Sequence, residues 1–166
     1  MEATIKRGYF AVGLDNPKTP ANVGAALRAV GVYDGAMMAV SGTRYSKAIT
    51  GMQLSRTPTD TMKAYRHLPM LRVTDLHDIL PYNCVPVAVE IVDEAIPLST
   101  YKHPERAFYI FGAEDATLGR RILGWCRDVV YIPTNGCMNL AATVNVVLYD
   151  RQAKQIANIK INENKC

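Results

Sequence analysis

Three short segments carry polar residues of types that could do chemistry, and each follows a run of apolar residues. The first contains Asn22 and Arg28, with Gly24 one helical turn before the arginine. A small residue at that position leaves the guanidinium uncovered, and its planar fork of five donors suits a phosphate or a ribose oxygen. A surface arginine held in an ion pair is an equally good interpretation of this segment alone.

The second and third segments combine glycines with polar side chains. Phe111 and Gly112 precede Glu114, and a glycine there lets a ligand approach the backbone closely. The stretch from Ile132 to Asn139 predicts a turn into the last helix, whose first N–H groups are unpaired and could hold a cofactor. Without a ligand, the carboxylate would simply favour a helix start and the asparagine would cap a helix.

The elements that must position these segments alternate between apolar strands and helices. Strands are predicted at 8–14, 36–40, 68–73, 85–92, 107–111 and 128–132, and helices at 20–30 (or to 34), 75–80, 117–125 and 138–156. Such an alternation is typical of an α/β protein with a parallel sheet covered by helices on both faces. Ligands in such sheets bind at the carboxyl ends of strands, where all three segments fall. The polar stretch 41–59 is predicted to be a long loop, either solvated or facing RNA.

Composition limits the class of protein. The 166 residues, 49% hydrophobic and 20% charged, predict one ordinary globular domain at 1–156 with a polar tail at 157–166. The net charge of +4 permits a polyanionic partner without requiring one. No apolar run is long enough for a membrane helix and the first residues lack a signal core, so we expect a cytoplasmic protein with no membrane partner.

Several common chemistries are disfavoured by missing motifs. The four cysteines form no CxxC pair and the three histidines are scattered, so no metal site is expected. The strand ends carry no GxxxxGK[ST], GxGxxG or GxSxG motif. These absences argue against a P-loop nucleotide hydrolase, a dinucleotide enzyme, an ordinary Rossmann methyltransferase and an α/β-hydrolase.

Three ordered motifs over residues 8–150 match one family. They are N-x-G-x-x-x-R at Asn22, Gly24 and Arg28; F-G-x-E at Phe111, Gly112 and Glu114; and a last signature at Ile132, Pro133, Met138, Asn139, Leu148, Tyr149 and Asp150. Each motif alone is weak, but three in the right order, each at a strand end, are specific. On these residues the chain resembles the SpoU/TrmH branch of the SPOUT RNA methyltransferases.

The sequence departs from the family pattern in the second and third motifs. Leu118 precedes Gly119, where the family has glycine before leucine. The family's serine before the Met-Asn pair is Cys137 here, and the turn from Pro133 to Asn139 is shorter than in most relatives. The last two departures fall on the cofactor loop.

The resemblance implies a fold, a cofactor and partners. The fold is a parallel sheet flanked by helices with a C-terminal trefoil knot, which periodicity would never predict because knots are almost absent from proteins. The chain would form a homodimer, bind S-adenosylmethionine and methylate a ribose 2′-OH of RNA. It is similar in size to the members that modify the tRNA anticodon loop, so tRNA is favoured over rRNA. Cofactor contacts are implied at Val89, Gly112, Ile132, Cys137 and Met138.

The resemblance also implies catalytic roles for four residues. Family accounts give the motif arginine, Arg28, a part in activating the hydroxyl. Because arginine does not lose its proton in proteins, we favour Arg28 as an electrostatic clamp on the neighbouring phosphate and the developing alkoxide. Asn22 and Asn139 would position the substrate or the loop, and Glu114 would orient Arg28 or hold the knot. RNA contacts are expected at Arg28, Arg44, Lys47 and Arg56.

Two further functions stay open at this point. One is methylation of rRNA, or of a base, by the same fold. The other is a dimeric RNA-binding protein that has lost catalysis because the Cys137 turn no longer holds a cofactor. An unrelated α/β binder of small molecules is disfavoured by the three ordered motifs.

Overall fold

A computed structural model describes residues 8–50 and 59–163, and within these ranges seven strands form one sheet. The strands are β1 (Tyr9–Leu14), β2 (Met37–Ser41), β3 (Met70–Val73), β4 (Val85–Val89), β5 (Ile96–Pro97), β6 (Arg106–Phe111) and β7 (Asp128–Tyr131). The helices are α1 (Pro20–Val32), α2 (Arg44–Ile49), α3 (Arg120–Leu123) and α4 (Leu140–Glu163), with short 3₁₀ helices at Ala64–Arg66, His77–Ile79 and Leu98–Thr100. No helix in the described part of the chain is long and apolar enough to cross a membrane.

All neighbouring strands are parallel, in the order β3-β2-β1-β6-β4-β7-β5. β6 lies between β1 and β4, so the carboxyl ends of β1 and β6 meet near the middle of the sheet. Their last residues, Leu14 and Phe111, are in register, and the Asp15 amide donates to the Phe111 carbonyl at 2.8 Å. Ligands in open α/β sheets bind outside the carboxyl ends of the strands. The predicted parallel α/β architecture is confirmed, while the knotted C-terminal path stays a prediction.

Both faces of the sheet are covered. On one face Val12 and Tyr109 pack under α1 and α4, and on the other Phe108 packs with Leu76 and with Ile122 of α3. Burial on both faces explains why the strands are apolar throughout rather than alternating. Gly13 faces the second layer, where a Cβ would approach the Phe108 ring to 2.9 Å, so only glycine fits there.

Several element boundaries differ from the sequence predictions. Within the predicted loop 41–59, the structure has α2, which buries Tyr45 and Ile49 one turn apart. Within the predicted helix 117–125, only Arg120–Leu123 is α-helical. The last helix begins at Leu140 and continues past the predicted end at 156 to Glu163, because no glycine or proline follows to stop it.

A buried polar cluster joins α4 to the segment before β6. His103 has a side chain 2% exposed, and its two ring nitrogens lie 2.6 Å from the Tyr109 hydroxyl and 2.9 Å from an Asp150 carboxylate oxygen. Arg151, also buried, donates to the backbone carbonyls of Pro104 and Glu105 at 2.6 and 2.7 Å. These bonds tie the middle of α4 to the chain that enters the central strand.

Candidate functional site

A cavity of about 700 Å³ lies at the carboxyl ends of β4, β6 and β7. The loops after these three strands and the first turn of α4 form its walls. Its volume is within the range of small-molecule and cofactor sites. All five predicted cofactor contacts lie on its lining: Val89, Gly112, Ile132, Cys137 and Met138.

The turn between β7 and α4, which lines the cavity, contains backbone donors without a partner among the described residues. The backbone amides of Gly136, Cys137 and Met138 have no hydrogen-bond partner within the described residues. The Thr134 hydroxyl donates to the Gly136 carbonyl at 2.8 Å and shapes the turn. A Cβ added at Gly136 would meet nothing within 4 Å, so the space beside it is open. A ligand with acceptor groups fits this wall.

Asn22, Glu114 and Asn139, from three distant parts of the chain, form one hydrogen-bonded network. The Asn22 amide donates to Glu114 at 2.7 Å, and the Asn139 amide donates to Asn22 at 3.0 Å. Glu114 also accepts from the backbone amides of Lys18 and Thr19, at 2.9 and 3.2 Å, just before α1. The structure therefore brings together three of the four predicted catalytic residues.

The Glu114 carboxylate is held in its charged form. Burial by itself would raise the pKa of Glu114, but the hydrogen bonds from Asn22 and from the Lys18 and Thr19 amides outweigh it and lower that pKa. A carboxylate that accepts several N–H bonds has no proton to give near neutral pH. Glu114 is therefore built to hold the loop and Asn22 in place rather than to act as a general acid.

Asn139 has a second task at the start of α4. Its side-chain oxygen accepts hydrogen bonds from the amides of Ala141 and Ala142, at 2.9 and 3.3 Å. This is the geometry of a helix N-cap. The same side chain thus fixes the cavity wall and reaches across to Asn22.

Glu90, which belongs to none of the three motifs, links two walls of the cavity. Its carboxylate accepts from the Leu118 amide at 2.6 Å, and its own amide donates to the Val130 carbonyl at 2.9 Å. The ends of β4 and β7 and the loop after β6 are therefore held together. An acidic residue directly after a buried strand, next to Val89, is the signal that could have found it.

Two arginines near the carboxyl edge of the sheet, Arg44 and Arg121, are paired with carboxylates. Arg44 donates both terminal nitrogens to Asp115, at 2.7 and 2.8 Å, and the hydrogen bonds from Arg44 lower the pKa of that carboxyl. Arg121 bridges Asp15 at 2.9 Å and Asp75 at 2.7 Å. Arg44, a predicted RNA contact, is therefore neutralised by a neighbouring carboxylate.

The remaining predicted residues lie away from the cavity or outside the described chain. Arg28 is exposed on α1, has no hydrogen bond or ion pair with any described residue, and does not line the cavity. Lys47 is exposed on α2. Arg56 lies outside the described residues. Within the described ranges, no group of three acidic, cysteine or histidine residues could hold a metal ion.

The parallel sheet, with a cavity of about 700 Å³ at its carboxyl edge and an Asn–Glu–Asn network beside it, has the architecture of the α/β proteins that bind small ligands. The chain belongs to the SpoU rRNA methylase family, whose model matches residues 9–149. The resemblance seen in the sequence motifs is thereby confirmed. A search of curated proteins finds no match.

Solved structures share the fold at low sequence identity. AviRb, a SpoU methyltransferase from Streptomyces viridochromogenes, aligns with a TM-score of 0.74 and 18% identity over 92% of this chain and 62% of its own. The TrmH/SpoU tRNA modifying enzyme of A. aeolicus aligns with a TM-score of 0.75 and 15% identity, over 92% of this chain and 78% of its own. A structure described by the 2-OH methylation of C/U34 on tRNA aligns with a TM-score of 0.72 and 19% identity, over 91% of this chain and 93% of its own. The chain spans about three fifths of AviRb and of an rRNA methyltransferase from Sinorhizobium meliloti, at 62% and 59%.

Proposed function

We propose that this chain transfers a methyl group from S-adenosylmethionine to a ribose 2′-OH of RNA in the cytoplasm, with tRNA as its substrate. The observation that carries this proposal is the Asn22–Glu114–Asn139 network beside the cavity. Family membership supports it, as do two structural neighbours described with bound AdoMet. The neighbour described by tRNA methylation is covered over 93% of its length, which favours tRNA over rRNA.

The cavity fits the cofactor in size and in chemistry. Val89, Ile132 and Met138 offer apolar contacts for an adenine ring, and the free amides at Gly136 and Cys137 offer donors to polar groups. When bound, S-adenosylmethionine supplies a methyl group on a positively charged sulfur. The chain's residues would hold it at the strand ends and exclude water from one side.

The other residues position the RNA. Arg28 lies six residues after Asn22 on α1, about 9 Å further along the helix axis. A nucleotide bound between the cavity and Arg28 would have its phosphate clamped by the guanidinium. The hydroxyl that accepts the methyl group would lose its proton to water. The guanidinium stabilises the negative charge on that oxygen, and the network keeps the geometry fixed.

A homodimer is part of the proposal, and α4 offers the surface for it. One face of α4 packs in the core, and beside it runs a second stripe of apolar residues that are exposed or only partly buried, of which Val146 also touches the core. Tyr149 is 62% exposed and Ile156 45% exposed. The stripe consists of Ala142, Val146, Tyr149, Ala153 and Ile156, at alternating spacings of four and three residues. Such spacing is typical of a helix face that packs against another helix.

Cofactor binding and methyl transfer test the function directly. Titration of the purified chain with S-adenosylmethionine in a calorimeter should show saturable binding. Incubation with tRNA and with rRNA, followed by mass spectrometry of nucleosides, should yield 2′-O-methylated nucleosides from tRNA. Methylated bases would support base methylation instead, and a product only from rRNA would correct the substrate. If S-adenosylmethionine does not bind, the alternative that remains is an RNA-binding protein that has lost catalysis.

Replacement of Arg28 tests the proposed mechanism. Arg28→Ala should lower the rate of methyl transfer by about 100-fold or more, because the charge on the reacting oxygen loses its stabilisation. Arg28→Lys should recover part of the rate, because lysine keeps the positive charge but lacks the planar guanidinium with its five donors. Cofactor affinity and melting temperature should not change in either variant. Arg120→Ala, at another exposed arginine, is the control; turnover of Arg28→Ala equal to this control would remove Arg28 from the mechanism.

A further inference from the structure

The positive charge of the chain is concentrated in one part of the sequence. Residues 20–72 contain seven Lys and Arg against two Asp, a net +5, whereas the whole chain is +4, so the rest sums to −1. The cations are Arg28, Arg44, Lys47, Arg56, Lys63, Arg66 and Arg72, and the acids are Asp34 and Asp60. Such an asymmetry is the electrostatic footprint of a polyanion-binding face.

The structure divides these cations into paired and free ones. Arg44 is held by Asp115 on the rim of the cavity. Arg28, Lys63 and Arg66 form no salt bridge with any described residue and are exposed. Asp60 does not offset them by an ion pair, because its buried carboxylate accepts the amides of the 3₁₀ helix that follows, at 2.9 and 3.0 Å. The free charges are therefore available to phosphates.

Residues 59–67, which we call the basic turn, lie along the same face of α1 as Arg28. At one end the Thr59 hydroxyl donates to the Ala21 carbonyl. At the other end Ala64 packs so close to Gly31 that a Cβ added there would come within 3.1 Å. Arg28 is seven residues after Ala21 and three before Gly31, spacings that put all three on one helix face. The basic turn and Arg28 thus form one continuous surface.

The basic turn also exposes an aromatic ring. Tyr65 is 36% exposed, and the Arg66 guanidinium lies 5.9 Å from its ring centroid. Lys63 and His67 flank this pair and are exposed as well. Aromatic rings interleaved with cations bind unpaired bases by stacking and the backbone by charge. A duplex keeps its bases stacked and offers no free face to such a ring.

We infer that the basic turn, together with Arg28, binds a single-stranded loop of the substrate RNA. Lys63 and Arg66 contact phosphates, and Tyr65 stacks on an unpaired base next to the nucleotide that reacts. This inference rests on the proposed function and specifies which surface of the chain holds the RNA and which form of RNA it selects.

Fluorescence anisotropy with an RNA stem-loop and a fully paired duplex of the same length tests the inference. The double variant Lys63→Gln/Arg66→Gln should bind the stem-loop about 10-fold more weakly near physiological salt. Its slope of log K against log salt should shrink by about 1.4, the value expected for two lost contacts to single-stranded phosphates. The matched control, Lys102→Gln/Arg120→Gln, removes two exposed cations outside residues 20–72 and should bind like the wild type.

The aromatic contact has its own readout. Tyr65→Ala should lose about 10-fold in affinity for the stem-loop and nothing for the duplex, while Tyr65→Phe keeps the ring and the affinity. Unchanged melting temperature and calorimetric affinity for S-adenosylmethionine show that each variant is folded with an intact cavity.

The possible outcomes separate this inference from the proposed function. If the wild type methylates RNA while the Lys63/Arg66 variant keeps the wild-type affinity and slope, the basic turn is excluded and the proposed function stands. Equal loss in the Lys102/Arg120 control would also overturn it, because any cation would then serve. A wild-type protein that binds no RNA and transfers no methyl group would refute both.

Discussion

Glu114 contributes three accepted hydrogen bonds at a point where the loop before α1, the loop after β6 and the start of α4 meet. Its neighbour Asp115 carries the same charge but pairs with Arg44 and Lys18 at the surface. The two adjacent carboxylates therefore differ in what they hold. Glu114 holds the candidate site together, whereas Asp115 holds two cations at the surface beside it.

Replacement of each carboxylate by its amide separates these roles. Glu114→Gln should lower the free energy of unfolding by about 1–2 kcal/mol, because an amide cannot accept all three N–H bonds. It should also weaken the binding of S-adenosylmethionine. Asp115→Asn, the matched control, should lower the free energy of unfolding less than Glu114→Gln does, since exposed ion pairs contribute little. Urea unfolding and calorimetry measure both effects, and equal losses in the two variants would contradict the assignment.

At the scale of elements, α4 depends on the cluster around His103. Burial lowers the pKa of His103 below its ordinary value of 6.5, against the opposing effect of the hydrogen bond that the ring donates to Asp150. The other groups that face the ring are Tyr101, Tyr109, Arg151 and Lys154. The folded protein therefore keeps His103 neutral at a pH where the unfolded chain already takes up a proton.

The sign of the pH dependence follows from linkage. The stability that neutral His103 provides is complete above pH 6.5 and is lost as the pH falls through the lowered pKa of the folded state. Between about pH 7 and pH 5 the free energy of unfolding should decline more steeply in the wild type than in His103→Gln. His67→Gln, at an exposed histidine, should keep the wild-type slope. Urea unfolding across this range measures it, and parallel slopes for wild type and His103→Gln would refute the role.

The elements were predictable where local signals decide them. Pro20 stands at the first position of α1, where a proline is favoured, and continuous apolar runs mark the buried strands. α2 was missed because only Tyr45 and Ile49 are apolar and buried in it, too few for a periodic pattern. The hydrogen bond between His103 and Asp150 joins residues 47 positions apart, and no local sequence pattern predicts it.

In the candidate site, the motif residues were predictable from the sequence, but the contacts between loops were not. The motif residues Asn22, Glu114 and Asn139 were singled out, and the structure brings them into contact. Glu90 and the pairing of Arg44 with Asp115 depend on how loops from different strands meet. Such contacts come from tertiary packing rather than from spacing along the chain.

At the scale of the whole molecule, the apolar stripe of α4 predicts the assembly state. The wild type should sediment as a dimer at micromolar concentration, and Tyr149→Lys should shift it to monomer because a charge would be buried between two helices. Tyr82→Lys changes a tyrosine that is 92% exposed at another site and should leave the dimer intact. Analytical ultracentrifugation measures the oligomeric state of the three proteins. A monomeric wild type, or equal dissociation of both variants, would refute the interface.

The position of β6 has a consequence for synthesis on the ribosome. β1 and β4 both need β6 as a neighbour, yet β6 begins only at Arg106, after five other strands have been made. Until then the nascent chain carries two apolar strands, each with an unsatisfied row of backbone groups on the side that β6 will occupy. Open edges of this kind invite pairing with other chains. A chaperone that shields the emerging polypeptide should therefore raise the yield of native protein during translation far more than one added afterwards.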